Sequence, residues 1–167
     1  MELKKLLSYL KDHRLVVATA ESCTAGLIAG RLADASGVGS SLDVGYVVYT
    51  PQAKCRLLGV AQRTIDRFGL TSEEVAREMA LGALERSEAS VAVADTGLAD
   101  EPPEGSVVPA GTVCFAWALR GDDGARLFSE TRHFDGSRNV VRRSAVDYAL
   151  ERIPHYHSAS GRNSAAA

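Results

Sequence analysis

Strands alternating with helices, then a closing pair of strands and a last helix, predict an α/β domain: a three-layer sandwich with a mixed, mostly parallel sheet and a C-terminal β-hairpin plus helix. Three observations lead there. Short apolar runs have the length of buried strands, as in 15–20 (LVVATA) and 89–94 (ASVAVA). Helical periodicity fills the segments between them. Near the C-terminal end, two further apolar runs flank the turn Gly121-Asp122-Asp123-Gly124.

Leu3, Leu6, Leu7 and Leu10 recur at helical spacing and predict a short amphipathic helix at the start. The strand at 15–20 runs into Glu21-Ser22-Cys23-Thr24, after which the chain reads as a helix to about Ala35, broken by Gly37 and Gly39. Residues 44–49 form the next strand. Thr50 and Pro51 then suit an N-cap and a first helical position, in a helix that carries Lys54 and ends near Gly59. Thr71 and Glu74 have capping-box spacing at the head of a helix running through Met79 and Leu84 to about Ser87.

After the strand at 89–94, residues 95–110 form a loop rich in Pro, Gly and acid. Residues 112–119 and 126–134 are the hairpin strands, and 138–153 the closing helix. The domain is expected to span 1–154. Residues 155–167 are expected as a disordered tail, since the last ten, from Ser158 to Ala167, are small and polar.

The bulk numbers exclude some classes. The 167 residues are 46% hydrophobic and 24% charged, the mixture of an ordinary folded domain. A net charge of -2, from 19 basic and 21 acidic residues, does not indicate a nucleic-acid groove. No apolar stretch is long enough to cross a bilayer, so no membrane partner is expected. Cys23, Cys55 and Cys114 are odd in number and widely spaced, which suits a reducing, cytoplasmic setting.

Chemistry concentrates where the first strand hands over to a helix. A serine there is held at the sheet edge, and backbone N–H groups such as those of Cys23 and Thr24 could hold an oxyanion at the positive helix end. Ser22 is also a natural helix cap, and position alone does not separate the two roles. Lys54 could serve as general base if burial lowered its pKa, with the Tyr49 hydroxyl bridging serine and amine. A solvated lysine and a packing tyrosine would give the same residues.

Ala20-Glu21-Ser22-Cys23-Thr24-Ala25-Gly26 resembles the AESCTGG signature of the CinA C-terminal domain family, the nicotinamide-nucleotide amidases. GYVVYTPQAK, residues 45–54, is similar to that family's tyrosine-to-lysine segment, and residues 69–80 to the helix that follows. Thr96-Gly97-Leu98-Ala99 resembles the start of TGIAGP, Pro109-Ala110-Gly111-Thr112-Val113 resembles PVGTV, and FDGSRNVVRR, residues 134–143, resembles FxGxRxxVR. The resemblance covers nearly the whole chain, from about Leu3 to Ile153.

It implies deamidation of nicotinamide mononucleotide to nicotinate mononucleotide and ammonia, without metal or organic cofactor. On matching positions it makes Ser22 the nucleophile, Lys54 the base and Tyr49 their partner. Thr96, Gly97, Thr112 and Arg138 become candidates for holding the pyridine nucleotide, and a homodimer is plausible on the resemblance alone.

Two departures stand out. Ala25 replaces a glycine, a mild change for a residue on a helix. After Ala99 the family continues Gly-Pro and glycines, with a lysine before PVGTV. This chain reads Asp100-Glu101-Pro102-Pro103-Glu104-Gly105, with Val108 in the lysine's place. There is no Lys or Arg between Arg86 and Arg120, so Asp95, Asp100, Glu101 and Glu104 are expected to face a substrate phosphate with like sign. Pro102 and Pro103 lack N–H groups to offer that phosphate. The substrate therefore stays open, and a catalytically silent relative that binds a ligand or partner is the alternative reading.

The other reactive residues read as bland. Cys23 suits a buried structural thiol better than a nucleophile, since no His lies in a recognisable motif. His155 and His157 do not make a metal site. Arg138, Arg142 and Arg143 fit either a phosphate or a solvated helix face.

Overall fold

A computed structural model describes residues 2–101 and 104–162. The chain runs α1 (Leu3–Asp12), β1 (Val17–Glu21), α2 (Leu27–Ala33), β2 (Leu42–Val47), α3 (Pro51–Leu58), α4 (Gln62–Phe68), α5 (Glu73–Glu85), β3 (Val91–Gly97), β4 (Thr112–Gly121), β5 (Gly124–His133) and α6 (Arg138–Arg162). The strands form one sheet in the order β2-β1-β3-β4-β5. β1 pairs in parallel with β2 and β3, while β3–β4 and β4–β5 are antiparallel. The sheet is mixed as expected, and β4 alone opposes the common strand direction.

Period-two alternation sends large and small residues to opposite faces. Val91, Val93, Phe115, Trp117 and Leu119 face α1, α2 and α6 in one core layer. Ala92, Ala94, Cys114, Ala116 and Ala118 face α3, α4 and α5 in the other. Small residues on that face let α5 lie close to the sheet. Crowding extends to α3, where a Cβ on Gly82 would come 1.9 Å from the Leu58 carbonyl oxygen. A side chain has no room there.

Several local readings shift. The α5 cap is Ser72, whose Oγ accepts from the Val75 N–H at 3.4 Å, one residue later than the Thr71–Glu74 box. Thr50 does cap α3, accepting from the Ala53 N–H at 3.1 Å, with Pro51 following it. α4 has no counterpart in the sequence reading, because its 7 residues, about two turns, carry too short an apolar pattern.

The expected disorder from residue 155 is corrected: α6 continues to Arg162, with Pro154 inside it. Burial explains why. Tyr156 is 7% exposed and stacks on Phe128 with centroids 4.6 Å apart. The Tyr9 hydroxyl meets His157 Nδ1 at 2.9 Å and binds α6 to α1. Residues 163–167, the rest of that expected tail, lie outside the described residues.

Glu130 on β5 adds a polar tie to α6. It accepts from Tyr148 and Tyr156 and forms ion pairs with Arg132 and Arg152, each at 2.6 Å. Burial alone would raise its pKa, but these four donors outweigh that and hold it at about 2. No helix among the described residues is long and apolar enough to cross a membrane.

Candidate active site

In the order β2-β1-β3, β1 is central, and its outgoing connection turns to one face of the sheet while that of β2 turns to the other. The crevice at the carboxyl end of such a strand is where open α/β sheets place their ligands. Ser22 stands there, the first residue after β1. Strand alternation aims Glu21 at α2 and its neighbour Ser22 at α3.

From α3, Lys54 points back into this crevice. Its side chain is long and charged, yet the residue is only 1% exposed. Nζ lies 2.8 Å from Ser22 Oγ, 2.8 Å from the Val48 carbonyl and 3.3 Å from the Tyr49 carbonyl. Burial disfavours the ammonium and brings the pKa down from 10.5 to about 8, against weaker opposition from Asp95 and the cysteines. The two carbonyls can take the two hydrogens of a neutral amine, leaving its lone pair for the Ser22 O–H. The same three oxygens can accept the three hydrogens of the ammonium, so a proton can pass from serine to lysine without the heavy atoms moving.

Tyr49 departs from the bridging role expected of it. The residue is 57% exposed and its hydroxyl accepts from Arg138 Nη2 at 3.0 Å, away from Ser22 and Lys54. What reaches the amine is its backbone carbonyl. Arg138 also pairs with Asp100 at 2.8 Å, so one guanidinium links the β2–α3 loop, the β3–β4 loop and the start of α6.

These groups line one cavity of about 260 Å³, shared by Ser22, Cys23, Tyr49, Lys54, Thr96, Gly97, Asp100, Glu101 and Arg138. Thr96 is buried, its hydroxyl donating to the Leu70 carbonyl at 2.8 Å. Gly97 is required by packing, because a Cβ would sit 2.6 Å from the Thr112 carbonyl. Thr112 itself is not in this cavity. It lines a neighbouring hollow of about 430 Å³ with Thr71, Glu73 and Val108. The position of the missing lysine, Val108, thus opens beside the Ser22 cavity rather than within it. Pro102 and Pro103 lie outside the described residues.

The turn after Ser22 also differs from expectation. α2 does not begin until Leu27, and its first free N–H groups, those of Ile28 and Ala29, donate to the buried Glu21 carboxylate at 2.9 Å each. The helix end is therefore already neutralised and does not serve Ser22. Of the two expected oxyanion donors, Thr24 N–H is taken by Asp95 Oδ1 at 3.2 Å. The Cys23 N–H meets its own thiol sulfur and no backbone acceptor among the described residues, so a ligand oxygen could compete for it. Ala25 is not helical: it has φ +52°, followed by Gly26 at +91°.

Three residues hold this turn in a role the sequence did not assign them. Glu21 and Asp95 are fully buried, and Asp95 holds the Cys23 thiol at 3.0 Å rather than facing a phosphate. Arg142 donates from α6 to the Cys23 and Thr24 carbonyls, both at 2.9 Å. Acids ending otherwise apolar strand runs were the available signal. Burial pushes the Cys23 thiol well up, with the neighbouring Asp95 adding to it, which disfavours a thiolate. Arg143 faces a separate hollow of about 520 Å³ between α2 and α6 that contains no nucleophile.

Known proteins resemble the chain throughout. It is 42% identical over 142 residues to "Nicotinamide-nucleotide amidohydrolase PncC" of Enterobacter agglomerans, covering 85% of each chain. It is 40% identical to "Protein YdeJ" of Escherichia coli, covering 84% of this chain and 79% of that one. Other relatives are much longer: it spans 36% of a "Putative competence-damage inducible protein" of Symbiobacterium thermophilum, at 42% identity over 88% of its own length.

A crystal structure of a competence/damage-inducible protein from Agrobacterium tumefaciens superposes with a TM-score of 0.84, at 38% identity over 92% of both chains. Residues 2–157 match the model of the CinA C-terminal domain. Sequence, sheet order and the crevice after β1 converge, and the chain belongs to the CinA C-terminal domain family.

Proposed function

We propose that this protein is an amidohydrolase that acts on a pyridine-nucleotide amide of the nicotinamide mononucleotide type, with Ser22 as nucleophile and Lys54 as base. The observation that carries the reading is the 2.8 Å contact between a buried lysine amine of lowered pKa and the Ser22 hydroxyl at the carboxyl end of β1. The amidohydrolase name of a relative 42% identical over most of both chains supports it.

Neutral Lys54 takes the Ser22 proton as Oγ attacks the amide carbonyl carbon. The Cys23 N–H is placed to donate to the resulting oxyanion. Lys54 then returns the proton to the departing nitrogen, ammonia leaves, and an acyl-serine remains. Water, deprotonated by the same amine, cleaves that ester to the carboxylate product and restores Ser22. Tyr49, Asp100 and Arg138 form the rim where the rest of the substrate would rest.

Ammonia release from nicotinamide mononucleotide is the direct test. Ser22→Ala should lower kcat by several orders of magnitude while costing about 1 kcal/mol of stability, the net worth of one lost hydrogen bond. Near-normal turnover by the alanine variant would sink the mechanism. Tight binding by the intact protein with no ammonia would favour a silent binding module.

A further inference from the structure

We infer that Asp95 is a positioning residue held as a neutral acid, its proton given to the Thr24 hydroxyl, which gives its own hydrogen to Glu21. The inference rests on the Ser22–Lys54 reading for its catalytic meaning, but its core is a count of hydrogens.

Thr24 Oγ1 lies 2.7 Å from Glu21 Oε2 and 2.5 Å from Asp95 Oδ2. A hydroxyl has one hydrogen to donate. Two ionised carboxylates cannot both accept it, so one of the two acids must itself donate at this junction. The surroundings identify which. Glu21 already accepts the N–H groups of Ile28 and Ala29 and the Thr19 hydroxyl, three donors at 2.9 Å each, which suits an ionised group. Asp95 Oδ1 accepts the Thr24 N–H and the Cys23 thiol, but among the described residues its Oδ2 has only Thr24 Oγ1 as a hydrogen-bond partner. The proton belongs on Oδ2.

Four charged or titratable groups approach Asp95 from the elements packed around it. Glu21 approaches from β1, Cys23 from the turn, Lys54 from α3 and Arg142 from α6. Arg142 uses its donors on the Cys23 and Thr24 carbonyls, and among the described residues no cation bonds Asp95 directly. Both acids are fully buried, and burial together with the Glu21 charge pushes Asp95 upward.

Two consequences follow for the site. Asp95 Oδ1 pins the turn that Ser22 begins, so that Oγ stays opposite Lys54. A charged Asp95 would favour the lysine ammonium, and neutrality removes that pull and leaves the amine free to act as base.

Asparagine reproduces the neutral acid: its oxygen can accept the Thr24 N–H and the thiol, and its amide can donate to Thr24 Oγ1. Asp95→Ala should lower kcat about tenfold or more with little change in KM, and Asp95→Asn should recover most of that loss. In Asp95→Asn the rising limb of the pH–rate profile should stay within about half a unit of the wild type. Failure of asparagine to rescue, or a limb lowered by about a unit or more as from a removed negative charge, would overturn the inference.

Infrared spectroscopy reads the proton without any turnover. At neutral pH the intact protein should show a protonated-carboxyl stretch that responds to labelled aspartate and to deuterium, and that Asp95→Asn lacks. Absence of that band would overturn the inference even if Ser22 and Lys54 prove catalytic. Its presence in a protein that never releases ammonia would uphold the proton and refute only the amidase reading. Should Asp95→Ala not fold, asparagine rescue is read against the wild type and the infrared band stands alone.

Discussion

Ala25 stands in the left-handed region at φ +52°, where an L-residue with a Cβ is strained by roughly 1–2 kcal/mol. Expected on a helix, where the loss of a glycine would be mild, it instead sits on the tight turn that presents Ser22. Ala25→Gly should therefore stabilise the fold by about 1 kcal/mol, after glycine's own entropy cost is subtracted. A urea midpoint that falls in the variant would refute the strain. Lys54 gives a second test at this scale. Because only the neutral amine accepts a proton, activity should rise with pH through about 8, or below it where a neutral Asp95 no longer raises the amine, and level off above. Lys54→Arg should be inactive, since a guanidinium stays protonated; an active variant would reduce Lys54 to a supplier of charge. Ser22, Lys54 and Arg138 were legible as candidates because a strand end, a helix turn and a helix start each fix where a side chain can go. The route of the Tyr49 hydroxyl to Arg138 was not, since a rotamer choice on an exposed residue leaves no periodic trace.

The β3–β4 loop is the element where this chain parts from the family signature. Asp100 and Glu101 do line the cavity, and Asp100 already occupies the single guanidinium at its rim. Both acids would oppose a substrate phosphate, each by on the order of 1 kcal/mol near the surface. Asp100→Asn combined with Glu101→Gln should lower KM for the mononucleotide more than for the corresponding riboside. Added salt should then weaken the mononucleotide's binding more than in the wild type. Equal effects on the two substrates would show that the loop does not sense the phosphate. Acidity and position of this loop were plain from the sequence. Its division of labour was not: Asp95 belongs to β3 and the interior, Asp100 to the rim, and Val108 to the adjoining hollow. The point where β3 ends separates Asp95 from Asp100, and the path of the loop places Val108.

Across the molecule, alternation and helix periodicity were enough to foresee the sandwich, because each core layer must be built from residues two apart on strands and three or four apart on helices. The end of α6 escaped that reading because its small polar residues have low periodicity, while Tyr156 and His157 are held by residues far away in sequence. Glu130 makes this long-range attachment pH-dependent. Its pKa of about 2 in the folded protein lies below the ordinary 4.5, so the unfolded chain takes up the proton first. The stabilisation is complete above about 4.5 and is lost as pH falls toward 2. Urea midpoints measured near neutrality and in mild acid should fall further for the wild type than for Glu130→Gln. Equal losses would place the acid sensitivity elsewhere.

α6 also sets a distance. It starts at Arg138 on the cavity rim and meets α1 near Pro154, 16 residues later, which is roughly 24 Å of helix. The chemistry and the meeting place of first and last helices are thus at opposite ends of a rod. Joining the tail to the first helix by a flexible linker, and opening the chain instead at the Gly121–Gly124 turn, would disturb neither Ser22 nor Lys54. A permutant opened at that turn should therefore keep the Ser22–Lys54 contact, with the pocket mouth left unobstructed.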